Sequence, residues 1–149
     1  MRKKRIFIFL AVTAALLALL LNLLPGYAST LKVNWGISLP VSALWQETYR
    51  TDSGPSFHGD GWRYHVFSYR REAPVEQMLP WSSEEGITVF QKSYRGAADD
   101  WLDSIQVPQE QRPDYDSCAF WYASQEDNSQ VILFWNPDAK KLYVAESFI

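Results

Sequence analysis

Nineteen residues without a charge, Ile6 to Leu24, follow a basic cluster of Arg2, Lys3, Lys4 and Arg5. At ~1.5 Å per helical residue this run reaches roughly 28 Å, close to the ~30 Å hydrocarbon thickness of a bilayer. No other feature constrains the chain as strongly. A segment this apolar belongs in lipid, and the basic residues before it belong on the cytoplasmic side. Residues 29–149 are therefore expected outside the cytoplasm.

Two fates fit the segment. Its length exceeds the ~7–15 apolar residues of a signal-peptide core, which favours a retained single-pass anchor through residues 6–24 in the cell membrane. Against this, Pro25 and Gly26 end the run, and Gly26 and Ala28 supply the small residues of a cut before Ser29, which would release a secreted domain. Either way the segment exports residues 29–149.

The remaining 121 residues are enough for one domain with its own core. All 17 acids but only ten of the 14 bases lie beyond Ala28, a net charge of about −7. That balance excludes nucleic acid and anionic lipid headgroups as partners. Cys118 is the sole cysteine, so no intramolecular disulfide can form and the hydrophobic core must suffice. It sits in Cys118-Ala-Phe-Trp-Tyr-Ala123 and reads as a buried small hydrophobe rather than a reactive thiol. All seven tryptophans lie in the exported part. Most of these aromatics are expected to fill the core; the sharper reading is an exposed platform for glycans or a partner protein.

The pattern of the exported part alternates strands with one helix. Leu31–Leu39 mixes apolar and polar residues and leads into the domain. Leu44–Thr51 and Trp62–Tyr69 read as strands, the second with aromatics on both faces and hence covered on both sides. Between them Asp52–Gly61 is a dense turn signal, so the two make a long-tipped hairpin. Pro74 and Pro80 allow only a short helix between them, and Gly86–Gln91 fits a short strand or the start of the next element. Tyr94, Ala97, Ala98, Trp101, Leu102 and Ile105 form a helical stripe, with Asp99, Asp100 and Asp103 facing out, which predicts an amphipathic helix over 93–106. Cys118–Ser124, Gln130–Trp135 and Leu142–Phe148 are three β-rich runs expected as an antiparallel meander, with a turn at Asn136-Pro137-Asp138-Ala139. The fold class is α+β: an antiparallel sheet of about five strands with one main helix packed on it.

Chemistry-bearing residues are few. His58 and Asp60, at i and i+2 in a glycine-rich loop, suit a metal only if a third ligand such as His65 joins them. Turn formation by Asp60-Gly61 is the simpler account. Cys118 and His58 form a nucleophile pair only if the fold unites them. Asp114 and Asp116 lack the ligand ladder of a calcium loop and read as a solvated turn. No phosphate loop, nucleophile elbow or zinc-protease helix is present. No catalytic residue, metal or cofactor is assigned.

Around Asp52-Ser-Gly-Pro-Ser-Phe-His-Gly-Asp-Gly61 the chain resembles a group of functionally uncharacterised small exported or membrane-anchored proteins of Gram-positive bacteria. Their loop runs roughly Asp-Thr-His-Gly-Gly-Phe-His-Gly-Asp-Gly between two strands, and Phe57–Gly61 is the specific part of the match. Leu39-Pro40 and the aromatic hairpin Val131–Val144 are also similar. The chain departs at Gly54, where the group often has histidine, and a paired-histidine metal site would here lack one ligand. The resemblance implies a shared fold and hairpin loop but no known activity.

The functional expectation is a non-catalytic envelope protein whose domain binds another protein or a cell-surface component. Its contact residues are expected to be Phe57, His58, Asp60, Trp62 and Trp81. The alternatives are a metal-dependent or hydrolytic enzyme using His58 and Asp60, and a secreted glycan-binding module with tryptophans along one face.

Overall fold

The computed structural model describes residues 26–40, 46–56, 59–82 and 94–149. The expected membrane segment 6–24, the site residues Phe57 and His58, and the segment 86–91 lie outside the described residues. A boundary between two compact units falls between Ser38 and Leu39.

In the first unit, α1 (Tyr27–Trp35) starts after Gly26 and stops at Gly36, whose φ of 72° turns the chain so that its N–H bonds the Lys32 carbonyl at 2.9 Å. The sequence pattern does not announce this helix. Ser29, Thr30, Val33 and Asn34 are weak helix formers, so propensity hides it. The Ala28–Ser29 bond lies inside α1. Among the described residues no helix is long and apolar enough to cross a membrane.

Among its described residues the second unit carries five antiparallel strands: β1 (Gln46–Asp52), β2 (Gly61–Ser68), β3 (Ala119–Ser124), β4 (Gln130–Asn136) and β5 (Lys141–Phe148). With them are a single helical turn, α2 (Ala73–Glu76), and a ten-residue helix, α3 (Arg95–Ser104). The sheet order is β1-β2-β5-β4-β3, so β3, β4 and β5 form the expected meander and the last strand closes against β2. The chain's final strand thus lies in the middle of the sheet, where it pairs on both edges.

Both sheet faces are covered at the centre. Tyr64, His65, Val66 and Phe67 of β2 are buried in succession, as are Leu142–Ser147 of β5. One face packs Tyr64, Val66, Ile132, Phe134, Tyr143 and Ala145 against Ala98, Trp101 and Leu102 of α3 and Ile105 just after it, from the stripe read from the sequence. The opposite face carries His65, Phe67, Leu133, Trp135, Val144 and the fully buried Glu146. Beyond α3, Tyr64 donates its hydroxyl to the Gln111 carbonyl at 2.6 Å, tying β2 to the loop after the helix.

Of the outward aspartates of α3, Asp103 is exposed as its spacing suggests and Asp99 is half-buried. Asp99 accepts the Tyr115 hydroxyl at 2.7 Å, and Asp103 pairs with Arg112 at 2.6 Å. Asp100 is exposed. Asp114 behaves as the turn former expected: its carboxylate accepts from the Asp116 N–H and the Ser117 hydroxyl.

Candidate functional site

The hairpin loop between β1 and β2 is a built structure. Ser53 and Trp62 close it: the Ser53 N–H donates to the Trp62 carbonyl at 2.9 Å, and the Trp62 N–H donates to the Ser53 hydroxyl at 3.0 Å. Asp52 turns the chain by accepting the Gly54 N–H at 2.8 Å. Gly54 (φ 77°) and Gly61 (φ 146°) take backbone conformations that side-chain-bearing residues rarely adopt. At Gly61 space is also exhausted, because the Ser53 hydroxyl fills the place a β-carbon would need.

Beside this loop lies an open cavity of about 330 Å³. Its walls include Asp52, Ser56, Asp60, Trp62, Arg63 and Phe148. Gly61 lies opposite Phe148 in the β2–β5 ladder and offers that ring no side-chain cover. Arg63, two residues on, lays its guanidinium over the Phe148 ring at 4.5 Å from the centroid.

Of the residues singled out from the sequence, Asp60 is exposed at the loop and Trp62 is half-buried against the α3-side core. Both line the cavity. Phe57 and His58 belong to the same loop in sequence but lie outside the described residues. Trp81 stands elsewhere. Its indole N–H donates to the Val75 carbonyl at 2.9 Å, and neighbouring Ser82 bonds the backbone of Phe120 on the β3 edge. Three strand spacings and about four residues of strand separate that corner from Trp62, roughly 20 Å. The fold does not gather Trp62 and Trp81 into one surface.

His65, the third metal ligand suggested by the sequence, is committed to a carboxylate. Its Nδ1 lies 2.6 Å from Oε1 of Glu47 on β1, which approaches beside an irregularity in the β1–β2 register. Burial holds the imidazole below its ordinary value, opposed by the hydrogen bond to Glu47. Among the described residues no group of three histidine, cysteine or acidic side chains is placed to hold a metal ion. Cys118 is buried as expected, and burial pushes its thiol up to about 12, which leaves almost no thiolate for nucleophilic attack near neutral pH.

The Glu47–His65 contact is not legible in the sequence. Its only sequence signal is that both residues lie in strands of one hairpin; the pairing depends on register, which an eight-residue loop does not fix. The row of exposed rings required by an extended glycan platform is also missing among the described residues, where Val33 and Ile149 are the large hydrophobics that stand exposed. No protein-family model, curated protein or solved structure matches this chain.

Proposed function

We propose that this protein is a non-catalytic envelope protein, held in or exported across the membrane by residues 6–24, whose domain binds a partner or cell-surface component through the β1–β2 loop. The supporting observation is the loop's construction. Its residues from Ser53 to Ser56 and Gly59 and Asp60 are exposed, yet its ends are fixed by the reciprocal Ser53–Trp62 hydrogen bonds. The core does not need an exposed loop held this firmly, whereas recognition benefits from one. Trp81, on a distant corner, has no part in this contact.

Site-specific photo-crosslinking in intact cells tests the reading. A photoreactive residue at Ser56 is expected to yield a discrete adduct, whereas one at Asp100 on the exposed face of α3 is not. Equal labelling at both positions, or none at either, would reject the loop as the contact. A tag after Ile149 should be accessible from outside intact cells; access only after lysis would reject export.

A further inference from the structure

Resting on the loop as the contact, we propose that the cavity beside it takes one neutral sugar ring, free or at the end of a surface glycan. The size favours a single small unit, since about 330 Å³ is at the lower end of ligand-sized cavities. The lining matches a polyhydroxylated ring. Asp52 and Asp60 accept hydrogen bonds from hydroxyls, Arg63 and Ser56 donate to them, and Phe148 offers apolar surface to a ring's C–H face. Two carboxylates against one guanidinium disfavour phosphates and acidic sugars. That guanidinium rests on Phe148, which fixes its plane for bidentate donation. With no row of exposed rings among the described residues, recognition is of one ring held end-on rather than of an extended chain.

Saturation-transfer NMR on the full-length protein in detergent micelles tests this with methyl glycosides of glucose, galactose, mannose and N-acetylglucosamine. Matching trisaccharides form a second arm. At least one monosaccharide should bind, and Asp60→Asn and Arg63→Gln should each weaken it about tenfold or more, the loss of roughly one charge-assisted hydrogen bond. Circular dichroism confirms that both variants fold. Tighter binding of the trisaccharide assigns the site to a surface glycan, and binding of the monosaccharide alone assigns it to a free sugar. No binding across the panel, or binding unaffected by both variants, overturns the proposal. Crosslinking at Ser56 without sugar binding overturns the ligand class alone; neither signal overturns the loop reading as well.

Discussion

The hydroxyl of Ser53 occupies the place that a β-carbon on Gly61 would take, so the two residues are coupled across the mouth of the hairpin loop. Glycine is required at position 61 by its φ of 146° and by this neighbour. Gly61→Ala should destabilise the domain by about 1–3 kcal/mol. Adding Ser53→Ala should recover part of the loss, because it removes the clash but not the backbone strain. Denaturant unfolding of both variants and the double variant measures the coupling; full additivity would contradict it.

Acid should weaken the fold through His65. Burial lowers its pKa in the folded chain from the ordinary 6.5, so the unfolded chain takes up the proton first. The contribution is complete above about 6.5 and is lost as pH falls through that value toward the lowered one. Unfolding midpoints measured between pH 7.5 and 5 should fall for the native sequence and change less for His65→Gln. Parallel pH profiles would show that the imidazole is not responsible.

The α3 stripe separates core from surface within one helix. Leu102 is fully buried, and Leu102→Ala should cost about 2–5 kcal/mol. Asp100→Ala, on the exposed side, should stay within about 0.5 kcal/mol. Thermal unfolding distinguishes the two.

Cys118 should react only when the domain opens. Cys118 is 3% exposed, and burial holds its thiol in the neutral form. Iodoacetamide labelling at pH 8, followed by intact mass, should be slower in buffer than in urea by a factor of about 10³ or more. Rapid native labelling would place the thiol at an accessible site.

Removing the Tyr64 hydroxyl should loosen the link between β2 and the segment after α3. Tyr64→Phe leaves the Gln111 carbonyl without its 2.6 Å donor and should cost about 1 kcal/mol by denaturant unfolding. An unchanged midpoint would show that water replaces the bond fully.

Much of the domain is legible because local pattern and burial agree. Two covered faces at Trp62–Tyr69, three β-rich runs after Cys118 and the stripe from Tyr94 to Ile105 each carry a period that a single window reveals. The glycine-rich turn likewise announces a hairpin loop. Helix α1 is not legible, since its residues do not favour helix strongly enough to declare it. Nor is the place of β5, because strand order depends on which faces meet after collapse and not on any one strand's composition.

The same division holds for the candidate site. Composition and turn chemistry alone point to the loop around Asp60 and to glycine at 61. Only the folded chain decides that Ser53 fills the space beside Gly61, that Phe148 arrives from the far end of the sequence to wall the cavity, and that Trp81 does not. Local sequence sets backbone preference within a few residues, whereas contacts between residues 9 or 87 positions apart depend on strand register and sheet order, which the whole core selects at once.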